Sequence, residues 1–264
     1  MSIKIMIANQ KGGVGKTTSS IELSMCLAEL GMNVLLVDLD QQCNLSSYLN
    51  TSKEDQANNP KPTMYDVLSA TATFKDAIYK MDEGVDFIKS SPQLSKADKE
   101  FGGQEDVFLL DTLFSLPEAE AYDFIIIDTN PVRNTLLKMC YCCADYVIFP
   151  TDCDQGSIDG IVALYNDILV FKNLKVPFSH TEVLGVILTK YEKTAMHKLA
   201  LESLEELMKK MNPKGFIMTV RKAIVSSEAK LFKESLQKHK YWSSPAIDYR
   251  DITEAILEIT GGAK

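Results

Sequence analysis

A glycine-rich segment near the start of the chain carries two lysines and two threonines. Residues 11–18 read KGGVGKTT. Glycines let backbone N–H groups converge on phosphate oxygens, and a helix that begins here adds roughly half a positive charge at its N-terminus. Lys16 is placed to reach the β- and γ-phosphates of a nucleotide, and the Thr17 hydroxyl to bind Mg²⁺. We therefore predict a phosphate-binding loop made of Lys11, Gly12, Gly13, Val14, Gly15, Lys16, Thr17 and Thr18.

Three carboxylates follow apolar runs elsewhere in the chain. Asp38 and Asp40 come after the run 34–37, and Asp128 ends the run 124–128. Carboxyl ends of parallel strands share one edge of a sheet, so these side chains are expected to meet at one rim. Asp128 is predicted to hold Mg²⁺ through water, and Asp40 to position or activate the attacking water. For Asp38, a structural role and a role beside the metal stay equally open.

Lys11 is a second cation on the entry side of the loop, five residues before Lys16. From there it need not bind its own nucleotide and could project toward a second subunit. Phosphoryl transfer needs cations where negative charge develops, and a lysine supplied by a partner would act like an arginine finger. The predicted catalytic residues are therefore Lys11, Lys16 and Asp40.

The loop needs a strand before it and a helix after it, and the hydrophobic pattern predicts both. An apolar run at 4–8 precedes the glycines, helical spacing covers 17–30, and Gly31 suits the helix end. Further strands are predicted at 34–37, 85–89, 124–128, 146–149 and 183–188, and helices near 64–69, 74–79 and 107–116. Continuous apolar strands alternating with helices indicate an α/β protein with a mostly parallel, doubly wound sheet. The polar stretch 50–62 is predicted to be a surface loop.

The composition is that of an ordinary globular protein. The chain has 264 residues, 45% of them hydrophobic and 24% charged, which suits one domain over residues 1–264. No apolar stretch approaches the roughly 18 residues of a membrane span, and the chain leads straight into the loop rather than through a signal-peptide pattern. We expect a cytoplasmic protein, and its six cysteines to be reduced thiols.

Charge is unevenly distributed. The net charge is −8, yet residues 181–240 hold eleven lysines and one arginine against seven glutamates, which is +5 there and leaves −13 for the remainder. An acidic body therefore carries a basic C-terminal third, at about residues 181–240, which is the part predicted to face an anionic partner.

Several segments resemble the ParA/Soj-type partition ATPases, a deviant-Walker family within the ParA/MinD group of P-loop ATPases. The family's loop reads KGGVGKT with a signature lysine first, as at 11–17. The resemblance covers nearly the whole chain; its other segments are VDLDQQCN at 37–44, IIDTNP at 126–131, TVR at 219–221 and SPAIDY at 244–249. Departures from the family's pattern are Gln41, Cys43 and Asn130, where proline, glycine and proline are common.

The resemblance implies a P-loop NTPase fold of the deviant-Walker type, with ATP and Mg²⁺ as cofactors. It implies an ATP-dependent sandwich homodimer in which Lys11 contacts the nucleotide of the other subunit. It also implies weak ATP hydrolysis stimulated by a ParB-type centromere-binding partner, non-specific binding to nucleoid DNA, and the partition or positioning of plasmid or chromosomal DNA.

The DNA contacts are predicted in the basic third. Arg221 aligns with an arginine that the family uses on DNA, and the lysines after it have spacings that could place several on one exposed helical face. Contacts to phosphates would carry no sequence preference. The predicted DNA-binding residues are Arg221, Lys222, Lys230 and Lys233, with Lys238 and Lys240 as further candidates.

Two other functions stay open: a MinD-like membrane-associated positioning ATPase and an iron–sulfur carrier-type relative. Against the first, the amphipathic segment 248–259 carries acidic residues beside its isoleucines, where a membrane-targeting helix carries lysines, so core packing and no membrane contact are predicted. Against the second, the cysteines of 140–143 stand close together with no nearby histidine, so they are predicted to be buried small side chains. The three histidines form no cluster.

Overall fold

The computed structural model describes residues 2–49, 60–81, 84–175 and 178–262, and its core is one eight-stranded sheet in the order β3-β4-β2-β5-β1-β6-β7-β8. Neighbouring strands are parallel except at the β3 edge, where β3 and β4 are antiparallel. The strands are β1 (Ile3–Ile7), β2 (Val34–Asp38), β3 (Ile78–Tyr79), β4 (Val85–Ile88), β5 (Phe124–Asp128), β6 (Tyr146–Thr151), β7 (Glu182–Tyr191) and β8 (Phe216–Arg221).

Helices cover both faces of this sheet. They are α1 (Lys16–Glu29), α2 (Asn44–Tyr48), α3 (Met64–Leu68), α4 (Ala97–Glu100), α5 (Leu109–Phe114), α6 (Pro117–Glu120), α7 (Thr135–Cys143), α8 (Gln155–Lys172), α9 (Ala195–Met211), α10 (Val225–Phe232), α11 (Leu236–Lys240) and α12 (Ser244–Thr260). Along the chain these helices alternate with the strands, as the crossovers between parallel strands require.

The central strands are buried on both faces, because side chains alternate along each strand and both sides are apolar. On one face, Ile125 and Ile127 of β5 pack with α5, α7, α8 and α9; on the other, Phe124 and Ile126 pack with α1 and α10–α12. This double burial explains why strands such as 124–128 are continuous apolar runs in the sequence. Backbone pairing places β5 between β1 and β2.

Most predicted elements are confirmed, with one correction at 74–79. That stretch is predicted to be a helix, but only Lys75–Ala77 forms a 3₁₀ turn, and Ile78–Tyr79 is the edge strand β3. Thr73 closes the turn by a hydrogen bond to the Asp76 carboxylate (2.6 Å), and the apolar pair that follows is buried against β4. Tertiary burial therefore overrides helical spacing here. Of the predicted loop 50–62, residues 50–59 lie outside the described residues.

The C-terminal helix α12 packs into the core. Ile252 and Ile256 are fully buried, whereas Ile259 is 37% exposed. The helix lies against α1 and β8, which confirms the prediction of core packing for this segment. No helix in the described part of the chain is long and apolar enough to cross a bilayer.

The basic third continues the same sheet: β7 pairs with β6, and β8 pairs with β7. Its residues therefore share one rigid scaffold with the glycine-rich loop.

Candidate functional site

The glycine-rich segment joins the end of β1 to the start of α1. Gly13 and Gly15 have φ angles of +76° and +94°, in the left-handed region that glycine adopts without strain. A Cβ on Gly12 or Gly13 would meet no heavy atom within 4 Å, so that side of the loop is open. The backbone is thus shaped to admit an anion at the N-terminus of α1.

Asn9 anchors the entrance of the loop. Its buried side chain donates from Nδ2 to the carbonyls of Pro150 (2.8 Å) and Ser157 (3.1 Å), and its Oδ1 accepts from the backbone N–H of Lys11 (2.9 Å). The loop is thereby tied to β6 and α8. Sequence reasoning missed this residue; the available signal was an amide side chain placed directly between a strand end and the glycines.

The end of β7 supports the loop from behind. Thr189 Oγ1 lies 2.9 Å from the Val14 carbonyl and 3.0 Å from the Thr151 carbonyl, and Lys190 Nζ donates to the Gly13 carbonyl (2.7 Å). A Cβ on Gly15 would lie 3.2 Å from Thr189 Cγ2, so a larger residue there would press on this support. Neither Thr189 nor Lys190 was predicted.

Lys16 is the first residue of α1 and is buried. Its Nζ donates to the backbone carbonyl of Lys11 (3.1 Å). Burial lowers the pKa of Lys16, and the carboxylates of Asp128 and Asp40 oppose that shift. The ammonium therefore stands in a setting of low dielectric, where it interacts strongly with an added anion.

Asp128 ends β5 beside the start of α1. Its Oδ1 accepts from Ser20 Oγ (3.0 Å), while its Oδ2 is buried and has no hydrogen-bond partner among the described residues. Burial raises the pKa of Asp128, the Asp38 charge adds to the rise, and the hydroxyls of Thr17 and Ser20 oppose it. A buried carboxylate oxygen without a partner, next to a threonine hydroxyl, is an oxygen donor set that fits Mg²⁺.

Asp38 and Asp40 occupy different settings at the neighbouring strand end. Asp38 lies in register with Asp128, and its carboxylate accepts from the Asp40 N–H, the Ser46 N–H and the Ser46 hydroxyl at 2.7–2.9 Å. These bonds fix the turn into α2, which favours the structural role for Asp38. Asp40 is also buried, and its Oδ1 accepts from the Gln42 N–H (2.9 Å).

Lys11 lies at the rim, with its side chain 32% exposed. Its Nζ pairs with Asp154 Oδ1 (2.9 Å) and Asp152 Oδ1 (3.4 Å), both in the turn from β6 to α8. These carboxylates, Asp154 first, raise the pKa of Lys11. The two lysines of the motif therefore occupy distinct environments: Lys16 is enclosed by its own loop, and Lys11 is held at the surface.

The predicted DNA-binding residues lie at the end of β8 and in the segment after it. The Arg221 guanidinium binds Asp248 through Nε (2.9 Å) and Nη2 (2.6 Å) and remains 47% exposed, and Lys222 pairs with Glu192 (3.2 Å). Lys230 lies on α10, and Lys233 is the residue directly after that helix, in the left-handed region with φ +56°. Lys238 and Lys240 lie on α11. The expected single helical face is therefore wrong: a left-handed bend at Lys233 divides the lysines between two short helices.

The same surface exposes aromatic and aliphatic side chains. Trp242 is 80% exposed and follows α11 closely, with its ring in an edge contact with Tyr241. The Arg250 guanidinium lies 4.0 Å from the centroid of the Tyr241 ring and 5.7 Å from that of Trp242. Leu231 and Phe232 at the end of α10 are also exposed.

The cysteines of 140–143 lie on α7, whereas Cys153 stands between Asp152 and Asp154, the partners of Lys11. Cys140 and Cys143 are buried on α7, as predicted, while Cys142 is partly exposed. Within residues 2–49, 60–81, 84–175 and 178–262, no cluster of three or more histidine, cysteine or acidic side chains is arranged to hold a metal ion. His197 is buried, and its Nδ1 is hydrogen-bonded to Thr194 Oγ1 (2.8 Å).

Three features define a P-loop nucleotide-binding protein of the deviant-Walker type. They are the parallel sheet, the glycine-rich turn from its first strand into α1, and the buried carboxylate on the adjacent strand. The AAA_31 family model, described as an AAA domain, matches residues 2–179. The chain is 34% identical to the sporulation initiation inhibitor protein Soj of Bacillus subtilis over 229 residues, which are 85% of this chain and 86% of Soj. It is also 34% identical to the chromosome partitioning protein ParA of Caulobacter vibrioides over 192 residues, 72% of this chain and 70% of that protein. The chain belongs to the ParA/Soj family of P-loop partition ATPases.

Solved structures agree with this assignment. A plasmid partition protein from Borrelia burgdorferi bound to AMPPNP is 28% identical, with a TM-score of 0.75 and 100% of both chains covered. Apo McdA from Cyanothece, at 21% identity, has a TM-score of 0.82 and covers 97% of this chain and 100% of its own, which shows the shared fold. The predicted family and fold class are confirmed.

Proposed function

We propose that this protein, as one domain over residues 1–264, is an ATPase that dimerises with ATP, binds DNA without sequence preference and drives DNA partition with a ParB-type partner. The observation that carries the proposal is the contrast between the two lysines of one motif. Lys16 is enclosed by its own loop, whereas the Lys11 side chain stands at the rim, where its ammonium pairs with Asp152 and Asp154.

Lys16 and the backbone of the loop bind the β- and γ-phosphates, and residues 11–18 form the nucleotide cradle. Thr17 and Asp128 hold Mg²⁺, which fits an Asp128 Oδ2 that has no hydrogen-bond partner in the described part of the chain. When bound, the metal neutralises charge on the phosphate oxygens. Ser20 keeps the Asp128 carboxylate oriented by its bond to Oδ1.

Asp40 orients the attacking water and accepts its proton. The hydrogen bond from the Gln42 N–H to its Oδ1 holds the carboxylate in place at the rim. Lys11 leaves Asp152 and Asp154 and reaches the nucleotide of the second subunit, where it stabilises the negative charge that develops on the transferred phosphoryl group. Hydrolysis is then weak in a lone chain and depends on assembly and on the partner protein.

The cations at the end of β8 and after it supply the DNA contacts: Arg221 with its exposed face, then Lys222, Lys230 and Lys233. Pairing two basic C-terminal surfaces in a dimer doubles the phosphates neutralised in each binding event, which lets an acidic protein hold DNA. Such a protein would act in the cytoplasm on the nucleoid.

Paired lysine variants test the proposal. Lys16→Ala should abolish binding of ATP, because the enclosed ammonium is lost. Lys11→Ala should keep ATP binding but lose dimer-dependent hydrolysis, by up to about a thousandfold for a cation supplied in trans. Equilibrium binding of a fluorescent ATP analogue, phosphate release and light scattering separate these losses. A Lys11→Ala protein that dimerises and hydrolyses ATP at the parent rate refutes the trans role.

DNA binding is tested on the parent protein. Unrelated duplexes should bind with similar affinity, only with ATP present, and more weakly as salt increases. Binding to anionic vesicles instead of DNA would support the membrane-associated alternative, and iron or sulfide in the purified protein would support the carrier-type alternative.

A further inference from the structure

A short linker, defined as residues 234–236 with Leu236 as the first residue of α11, connects the lysine-bearing helices α10 and α11. Lys230 and Lys233 precede it, and Lys238 and Lys240 follow it. The left-handed Lys233 ends α10, and the Ser235 side chain begins α11 by accepting from the Lys238 N–H (3.2 Å). The direction in which the four lysines point therefore depends on this linker.

The first contact on the linker comes from α1, the helix that starts at Lys16. Glu22 lies six residues further along α1 and is 1% exposed; its Oε1 accepts from the Leu236 N–H (2.8 Å). Burial raises the pKa of Glu22 to about 8, so the carboxyl group is mostly neutral at pH 7. Its Oε2 is buried and has no hydrogen-bond partner among the described residues.

The second contact comes from α2, the helix that follows Asp40. Tyr48, at the end of α2, donates its hydroxyl hydrogen to the Glu234 carbonyl. In the middle of α2, Ser46 donates its hydroxyl hydrogen to the Asp38 carboxylate beside the nucleotide site (2.7 Å). The helix is only five residues long, so a displacement of the turn at residues 38–40 moves Tyr48 with it.

Both helices that border the nucleotide site therefore hydrogen-bond the same three-residue linker. These bonds join residues 186 and 214 positions apart, so they form only in the folded chain. A buried polar atom without a partner costs about 1–3 kcal/mol, so a rearrangement that gave Glu22 Oε2 a partner would recover part of that cost.

We propose that Glu22 and Tyr48 are positioning residues that couple the occupancy of the nucleotide site to the orientation of the lysines on α10 and α11. The DNA part of this inference rests on the proposed function. By linkage, nucleotide and DNA then strengthen each other's binding by the same factor, and couplings of this kind span roughly 5- to 150-fold.

Hydrogen–deuterium exchange of the full-length protein tests the coupling without DNA. In the parent, Mg²⁺ and AMPPNP should change the exchange rates of amides at 233–240 at least fivefold. Tyr48→Phe, which removes one oxygen, and Glu22→Met, which removes the acceptor, should each bind the nucleotide within about twofold of the parent but lose most of that change. Glu22→Gln keeps an acceptor for the Leu236 N–H and should retain it.

Tyr249→Phe is the matched control. It also removes a buried phenol oxygen that contacts α1, at Ser19 Oγ (3.0 Å), but that contact leads to α12 and not to the linker. Its nucleotide-dependent exchange at 233–240 should match the parent. If Glu22→Met fails to fold, the comparison of nucleotide-dependent exchange at 233–240 between Tyr48→Phe and Tyr249→Phe still tests the coupling.

Duplex binding, measured on the same variants with and without AMPPNP, supplies the second readout. Tyr48→Phe should reduce the ratio of the two affinities toward one. The inference is overturned if nucleotide leaves exchange at 233–240 unchanged in the parent, or if Tyr48→Phe keeps the full change. If the exchange results appear as expected but no duplex binds, the coupling stands and the DNA part of the proposed function fails.

Discussion

Asn9→Ala should lower both the free energy of unfolding and the affinity for ATP. The substitution removes three hydrogen bonds of a buried side chain, two to carbonyls and one from the Lys11 N–H. At about 1 kcal/mol net for each bond, the free energy of unfolding should fall by about 3 kcal/mol, a large share of the 5–15 kcal/mol typical of domains. The loop also loses its anchored entrance, and ordering one freed residue costs about 1–2 kcal/mol, so ATP should bind roughly tenfold more weakly.

Urea unfolding and titration of a fluorescent ATP analogue measure the two effects. Asn134→Ala is the matched control, because the Asn134 side chain also accepts a backbone hydrogen bond, from the Leu137 N–H of α7 (3.1 Å), and this bond involves no residue of the glycine-rich segment. It should lose about 1 kcal/mol of stability and keep its ATP affinity. The reasoning is refuted if Asn9→Ala unfolds at the parent's urea midpoint, or if its ATP affinity is no lower than that of Asn134→Ala.

Three further results are expected. Asp40→Ala should bind ATP and accumulate as a long-lived dimer, because the cradle and Thr17 are intact; a monomer by light scattering in saturating ATP and Mg²⁺ would move the catalytic role to Asp38. Arg221→Ala should lower the slope of log K against log salt on duplex DNA by roughly one or two units, with Asp248→Asn as the control for the lost ion pair; equal slopes for Arg221→Ala and the parent would exclude a phosphate contact. In the folded protein the pKa of Glu22 is about 8, above its ordinary value of 4.5, so as pH rises the unfolded chain releases this proton first. The free energy of unfolding should therefore fall between pH 4.5 and 8. Glu22→Gln should show a smaller fall in urea midpoint across that range.

The phosphate loop and the central strands could be predicted because their signals are local. A strand, a glycine-rich turn and a lysine follow one another within residues 3–16, and doubly buried strands such as β5 read as unbroken apolar runs. The position of Asp128 beside Thr17 followed from one rule about strand ends in parallel sheets.

The supports of the loop could not be predicted in the same way. Asn9 and Thr189 act through partners 141 and 175 positions away, which no pattern along the chain announces. The left-handed bend at Lys233 divided a lysine pattern that looked continuous, since a lysine carries no local signal for that conformation. At β3, the burial of two residues decided the structure against the helical spacing.

Trp242 gives the protein a built-in optical signal. It is the single tryptophan of the chain and is 80% exposed beside Tyr241 and Arg250, so the tryptophan emission arises from one point on the C-terminal surface. Indole emission shifts to shorter wavelength when water leaves the ring, and stacking on a nucleobase quenches it. Steady-state fluorescence therefore records what covers this surface, in the unlabelled protein and in real time.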